Sequence, residues 1–401
     1  MKLGLIGFGN IGKGVEELVF KQREAIKNRF GEEISISTIL INDLEKERET
    51  FDENIVFTND FESLLEDDEI EGLVEVTATI EEAYHYLSQG LKKGKHVITA
   101  NKAVVSKYFE ELSALAEENK RAFLYEASVG GGVHIIKSVH EDLHLNKIKY
   151  IRGILNGTCN FILSEIDGKG SDYNDVLKEA QDLGFAEPDP SADVNGIDTR
   201  RKTRILSSLI FGGKVSEEKI SSYGISNISV EDIEIFKKKN YKIRLIGEGL
   251  VEDGRYFSTV MPNLCPLYTT YANISGSTNC ISYYGNNIGQ VSFIGAGAGR
   301  YPTADAIMRD IIDVFQGTYI SGNPLVNEEV EISNYQMNGE FYLRLPKKLS
   351  ESVENLAIEK FDLGEDISIF TKSIPFSYVQ DLIKDLNKDQ FFLAKILKEE
   401  K

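Results

Sequence analysis

Asp198 and Lys202, within Asn195-Gly-Ile-Asp198-Thr-Arg-Arg-Lys202, set a carboxylate and an amine one helical turn apart at the mouth of a helix. Steps of three and four from them reach Ile205 or Leu206 and then Leu209, so both charges fall on the apolar side of that helix. Arg200, Arg204 and Ser207 fall on the opposite, solvent side. An inward-facing charged pair costs on the order of several kcal/mol unless a partner meets it, and a polar substrate is one such partner. The plainer reading, an i,i+4 surface pair, contributes only about a few tenths of a kcal/mol. Just upstream, the proline-stiffened loop Gly184-Phe-Ala-Glu187-Pro-Asp-Pro190 delivers Glu187, Asp193 and Asp198 in quick succession. Carboxylates and a lysine crowded in this way suit a site that binds an ammonium and polarises an oxygen.

The elements that position such chemistry begin at Leu3–Ile6, a short buried strand followed at once by Gly7-Phe8-Gly9-Asn10-Ile11-Gly12 and an amphipathic helix through Val15, Leu18 and Val19. In that setting the glycines permit a tight turn, close approach of a pyrophosphate and close helix–strand packing, while the helix amides face the anion. A dinucleotide site is the expectation, set against a purely structural glycine turn. Strands are predicted at Ile34–Ile41, Gly72–Thr77, Lys95–Ala100 and Ala122–Ala127, alternating with helical stretches such as Glu81–Lys93 and Lys107–Asn119. This is the rhythm of a doubly wound parallel α/β sheet, a Rossmann domain. Ligands of such sheets lie off the C-terminal strand ends, which lines up Gly7–Gly12, Asn42 and Asp43, Thr77 and Ala78, and Ala100 to Lys102, the nicotinamide end being near the last two groups. Lys102 reads either as a helix-start surface cation or, at that edge, as a group for substrate or proton handling. Asn42, Asp43, Lys46 and Arg48 mix the acidic signature of NAD with the basic one of NADP, so either cofactor is compatible.

Composition excludes other classes. With 64 acidic against 45 basic residues the net charge is -19, and neither nucleic acid nor an anionic membrane face is an expected partner. Cys159, Cys265 and Cys280 lack metal-ligand spacing and suit reduced thiols in a cytoplasm. A transition-metal site is not among the expectations for a chain with 5 histidines. Met1–Ile6 already reads as a core strand, leaving no room for a signal peptide, and no apolar run reaches the roughly 18 residues of a membrane span.

Past Tyr125 and Glu126 the character changes. Gly130, Gly131 and Gly132 mark either a hinge or a place where carbonyls face a hard cation with Glu126 as the carboxylate, and on the residues alone the hinge is favoured. A strand at Ile148–Leu155 follows, then Asn156-Gly-Thr-Cys-Asn160 opening a helix, then a helix over Tyr173–Leu183 ended by Gly184.

Gly7–Gly12, Thr99–Lys102, Glu126–Val133, Arg152–Thr158, Glu179–Pro190, Asp193–Lys202 and Gly295–Asp305 occur in this order over about residues 1–320, and together they resemble homoserine dehydrogenase. The resemblance implies NAD(P)-dependent interconversion of L-aspartate 4-semialdehyde and L-homoserine, in the branch leading to threonine, methionine and isoleucine. It implies Lys202 as proton donor, Lys102 as a second lysine at substrate and nicotinamide, and Glu187 and Asp198 as ligands of the amino acid, supported by Asp193. Asp198 thereby becomes a substrate ligand rather than the ion-pair mate of Lys202. Gly7, Phe8, Gly9, Asn10, Ile11, Gly12, Thr77, Ala100, Lys102, Gly184 and Gly299 are the implied cofactor contacts. Glu126 and the carbonyls of Val129, Gly131 and Val133 are the implied sodium ligands, which reverses the hinge preference. A homodimer or tetramer is implied as well.

The expected architecture is a Rossmann domain over 1–130, with 302–322 packing back onto it, an α+β catalytic and dimerisation domain over 131–301, and a small C-terminal α+β domain over 335–401. Glu340–Leu345 reads like the opening strand of a regulatory ACT domain, but the first helix is not visible, and Ile367–Thr371, Tyr378–Leu386 and Phe391–Ile396 give only a reduced ββαβ module. Two rivals differ in what they need. A sugar or polyol dehydrogenase wants a lysine/histidine pair in its second domain, and no histidine follows His144. A nucleotide sensor without activity has no use for Glu187, Asp198 and Lys202 together.

Overall fold

The computed structural model describes residues 1–325 and 327–398, with backbone only for 327 and 328; the last three residues of the expected 335–401 domain lie outside the described residues. The first elements are β1 (Lys2–Ile6), α1 (Asn10–Phe30), β2 (Ser35–Leu40), β3 (Val56–Thr58), α2 (Phe61–Leu65), β4 (Ile70–Glu75), α3 (Ile80–Lys92), β5 (His96–Thr99), α4 (Lys102–Asn119), β6 (Phe123–Leu124) and α5 (Ile136–Leu143). Next come β7 (Ile148–Ile154), α6 (Gly157–Lys169), α7 (Tyr173–Asp182), α8 (Ser191–Val194), α9 (Ile197–Phe211), β8 (Gly213–Lys214), β9 (Ser221–Ser222) and α10 (Val230–Lys238). They are followed by β10 (Tyr241–Glu252), β11 (Arg255–Pro266), β12 (Thr278–Gly285), β13 (Gly289–Ala296), α11 (Arg300–Gln316) and β14 (Asn327–Glu329). The chain closes with β15 (Asn338–Gly339), β16 (Phe341–Pro346), β17 (Ala357–Leu363), β18 (Asp366–Thr371), β19 (Ile374–Pro375), α12 (Phe376–Ile383) and β20 (Phe392–Ile396).

Two compact units emerge, the first made of 1–145, 212–214 and 295–328. Its six strands run in the order β3-β2-β1-β4-β5-β6, all parallel. Leu3, Leu5, Ile39, Leu73, Val74 and Val97 are fully buried, as continuous apolar strands covered on both faces must be. Strand order reverses between β1 and β4, and the glycine turn leaves β1 at that switch point. Val15, Val19 and Ile26 of α1 share a core with Ala304, Ile307, Ile311 and Val314 of α11. The strand expected at 122–127 pairs only at Phe123 and Leu124. Beyond them the chain tightens into a 3-10 turn over Glu126–Ser128, closed by Ser128 N and Oγ donating to Tyr125 O (2.9 and 2.6 Å). The glycine run is no hinge, because it lies inside this unit. A Cβ on Gly131 would meet Gly297 O at 2.6 Å, and Gly132 N donates to Ala296 O (2.9 Å), so the glycines admit a second backbone segment.

The second unit comprises 146–211, 215–294 and 329–401, so the division falls after 145 rather than after 130. Its sheet follows the path β13-β12-β7-β10-β11-β20-β16-β18-β17, with β9 alongside β11. The long β10–β11 hairpin turns at Asp253-Gly254, both at positive φ, as a two-residue hairpin loop requires. Helix α9 lies directly on β10: a Cβ on Gly247 would strike Thr203 Oγ1 at 2.0 Å, and one on Gly249 would meet Ser207 Oγ at 2.5 Å. The expected solvent side of α9 is therefore wrong in part. Arg204 and Ser207 are buried, the first donating to Val215 O (2.8 Å) and the second bonded to Ser258 Oγ (3.0 Å).

The C-terminal strands are not a separate body, because β20 continues the sheet, pairing with β11 at Asn263–Lys395 and Leu264–Ile396. A fourth strand, β17, joins the three expected ones; Glu359, Lys360 and Asp362 break its apolar pattern, as suits an open sheet edge. Phe341, Leu343, Val379 and Leu393 pack in one core with Phe257 and Met261 of β11. Beneath the sheet, buried Glu248 of β10 pairs with Arg152 of β7 (3.2 Å) and Lys395 of β20 (2.6 Å). Against the upward push of complete burial, these two cations hold its carboxyl down to about 2. No helix among the described residues is long and apolar enough to cross a membrane.

Candidate active site

The first unit builds a nucleotide cradle. Gly7, at φ +96°, donates its N–H to Leu40 O (3.0 Å), and a Cβ on Gly12 would lie 2.3 Å from Gly7 O, so the turn closes only around glycine. Helix α1 opens with Gly9 as N-cap, no capping side chain and no acidic residue in its first turn, leaving its positive end for an anion. These features fit a dinucleotide pyrophosphate. Asn10 and Ile11 form the first turn, whereas the Phe8 ring turns into the core against Phe57 (5.5 Å), leaving its backbone for contact. Thr77 lies beside Gly7, its Cγ2 being 3.3 Å from a Cβ built there. Gly299, at φ +120°, caps α11, whose first residue Arg300 packs on Gly14.

Glu75 ties this edge together and was missed from sequence. Fully buried at the end of β4, its carboxylate accepts from Thr77 N, Thr77 Oγ1 and Thr99 Oγ1, each at 2.6 Å. Burial pushes the carboxyl up while the threonine donors work against it. Asn101 caps α4 through Ala103 and Val104 N–H and donates to Thr79 O (2.9 Å), so Thr77, Ala100 and half-buried Lys102 are held by one network. An acidic residue closing an apolar strand was the available signal.

The loop carrying Glu126, Val129, Gly131 and Val133 lies in the same unit. Glu126 is buried, its carboxylate accepting from Ile136 N and Lys137 N (both 2.8 Å) at the start of α5, and its own N–H donates to Asp310 (3.0 Å). Complete burial next to Glu126 pushes Asp310 well above the carboxylate range. Among the described residues no cluster of three or more His, Cys, Asp or Glu is placed to hold a metal. Any cation here would rest on backbone carbonyls and one carboxylate, oxygen donors that suit a hard cation.

In the second unit, α9 presents Asp198 and Lys202 inward, 6% and 9% exposed. Lys202 Nζ donates to Asp198 Oδ2 (2.8 Å) and to Leu155 O (2.7 Å) at the exit of β7. Asp198 is thus an ion-pair partner of Lys202, which corrects the expectation that it would not pair with that lysine. Asn156 donates to both Asp193 Oδ1 (2.7 Å) and Asp198 Oδ2 (2.9 Å). Burial pushes Asp193 up, opposed by the Asn156 N–H. Cys159 donates to Asp193 O (3.2 Å), and complete burial raises its thiol well above the usual range, so it is no nucleophile. Glu187 is not drawn into this cluster: its side chain is exposed on the loop after Gly184, which ends α7 at positive φ. That loop is pinned by Gln181 donating to Glu187 O (3.1 Å) and Thr158 donating to Phe185 O (2.7 Å). With two N–H bonds of Lys202 used among the described residues, a third remains to polarise and protonate an oxygen.

The family description homoserine dehydrogenase matches residues 135–312, and that of the homoserine dehydrogenase NAD-binding domain matches 7–126. The homoserine dehydrogenase of Bacillus subtilis is 36% identical, the alignment covering 82% of this chain and 77% of that one. The crystal structure of a homoserine dehydrogenase from Thiobacillus denitrificans superposes with TM-score 0.90 at 30% identity, over 99% of this chain and 98% of that one. A hyperthermophilic archaeal homoserine dehydrogenase mutant in complex with NADPH gives TM-score 0.67 at 26% identity, over 79% of this chain and 98% of that one. A nucleotide cradle, an inward lysine held by a carboxylate and these likenesses converge: the chain belongs to the homoserine dehydrogenase family, NAD(P)-dependent oxidoreductases acting on a CH–OH group.

Proposed function

We propose that Lys202 is the proton donor in reducing L-aspartate 4-semialdehyde to L-homoserine, with Glu187, Asp193 and Asp198 serving the amino-acid end. The observation that carries this reading is the buried Lys202 ammonium, fixed by Leu155 O and Asp198 with one N–H left over. The bound nicotinamide supplies the hydride. As the aldehyde oxygen gains alkoxide character, the Lys202 ammonium stabilises it and then gives up a proton; in the oxidative direction the neutral amine takes that proton back. Asp198 keeps the buried ammonium compensated, and Asp193, on α8, faces the same amide. Lys102, opening α4 beside Ala100, is the second lysine for substrate and nicotinamide. Gly7 to Gly12, Thr77, Gly184 and Gly299 are the cofactor contacts.

Glu187 is the recognition charge for the substrate ammonium, and its exposure leaves it free to move onto a ligand. Glu187→Gln is expected to raise KM for L-homoserine about tenfold, the equivalent of one charge-assisted hydrogen bond, with a smaller change in kcat. An unmoved KM in steady-state assays means that the amino group is held elsewhere. Glu126, Val129, Gly131 and Val133 would hold a sodium ion, which would offset negative charge on the buried Glu126 carboxylate.

The C-terminal strands support an ACT-like ancestry, since β20-β16-β18-β17 is an antiparallel four-strand order with α12 between β18 and β20. Only a 3-10 turn at Lys347–Leu349 stands where the first helix of such a module belongs. L-Threonine at micromolar concentration is therefore expected to leave the rate unchanged, and inhibition in that range would restore a working regulatory site.

A further inference from the structure

Asn156 joins three helices through one side chain. Its carboxamide oxygen accepts from Cys159 N (2.8 Å), capping α6, while its Nδ2 donates to Asp193 Oδ1 on α8 (2.7 Å) and to Asp198 Oδ2 on α9 (2.9 Å). Carboxylates only accept, so the orientation of the amide is fixed. The Asp198 oxygen it holds is the one that receives Lys202. The other acceptor of Lys202, Leu155 O, is likewise shared with a carboxamide, that of Asn279 (3.2 Å).

We infer that Asn156 is a positioning residue for proton transfer: by bridging two carboxylates that would otherwise repel, it fixes Asp198 and, through it, the Lys202 ammonium. A helix N-cap needs only an acceptor oxygen, so both N–H bonds exceed what α6 requires. The inference rests on Lys202 being the acid. The titratable groups around Asn156 are Cys159 on α6, Asp193 on α8, and Asp198 and Lys202 on α9; β12 contributes neutral Asn279, and Arg152 and Glu248 of β7 and β10 pair with each other. Asp193 already sits above its ordinary value through burial, and the Asn156 N–H opposes that rise. Without the donor it protonates at still higher pH.

Asn156→Asp preserves shape and cap but removes both donors, whereas Asn156→Ala removes the cap too. Both are expected to lower kcat about ten- to a hundred-fold with KM for NADPH unmoved, and to move the acid limb of the kcat profile up by about one pH unit. Both should also lower Tm, Asn156→Ala through the lost cap and Asn156→Asp through a third carboxylate set against two others. If the added carboxylate blocks folding, Asn156→Ser, neutral and cap-competent, is read by the same two measures. A folded variant with parental kcat and an unmoved acid limb reduces Asn156 to a helix cap and overturns the inference. Failure of the Lys202 assignment shows separately, as full turnover in Lys202→Ala whatever the Asn156 variants do.

Discussion

Lys202→Ala is expected to lower kcat for homoserine oxidation by about 10²–10⁴-fold, the range for loss of a positioned general acid or base, with KM changed far less. The side chain reaches out of a buried helix, so no water-borne cation simply takes its place. The same change leaves the buried Asp198 carboxylate without its ammonium, although Asn156 still donates to it. Losing one partner of a buried pair costs about 3–5 kcal/mol at the extreme, so assays belong well below the unfolding temperature of the variant. Lys202→Met, of similar length and without charge, controls for packing. Parental turnover in a folded Lys202→Ala protein ends the assignment, and Lys102 would inherit the role.

Gly12→Ala is expected to weaken NADPH binding at least about a hundred-fold, roughly 2.7 kcal/mol. The added methyl would stand 2.3 Å from Gly7 O, a backbone atom that cannot swing away, so the helix start must shift off the turn whose amides face the pyrophosphate. Gly9 is the comparison: its Cβ would meet nothing within 4 Å of the protein. Gly9→Ala should therefore keep the parental Tm and lose affinity only where the nucleotide itself approaches, whereas Gly12→Ala should lose both. Fluorescence titration with NADPH decides, and unchanged affinity in Gly12→Ala would take the pyrophosphate away from this turn.

The contrast between these residues explains what sequence could reveal. The Gly7–Gly12 turn was legible because strand, turn and helix are local, and each glycine answers a requirement within a few residues. The inward pair of α9 was legible for the same reason. Arg204 and Ser207 misled because their partners, Val215 O and Ser258, are tertiary, and polar residues on a helix read as solvent-facing until those bonds are known. The glycines at 130–132 read as a hinge because the segment they admit, 296–297, is remote in sequence. Asn156 before a helix reads fully as a cap; the two carboxylates it also serves come from other elements. Strand β17 was hidden by edge charges that weaken its alternation.

The pairing of β20 with β11 orders events during synthesis. Residues 241–266 can zip into their hairpin early, but the neighbour of Asn263 and Leu264 exists only once residue 396 has been made. Until residue 395 emerges, buried Glu248 has Arg152 but not Lys395 beside it, and part of β11 presents an open edge. Folding of this sheet is consequently tied to the synthesis of β20. Chains released before residue 392 should meet chaperones and proteases with an unfinished sheet edge and Glu248 lacking the Lys395 ammonium, rather than persist as partly active enzyme.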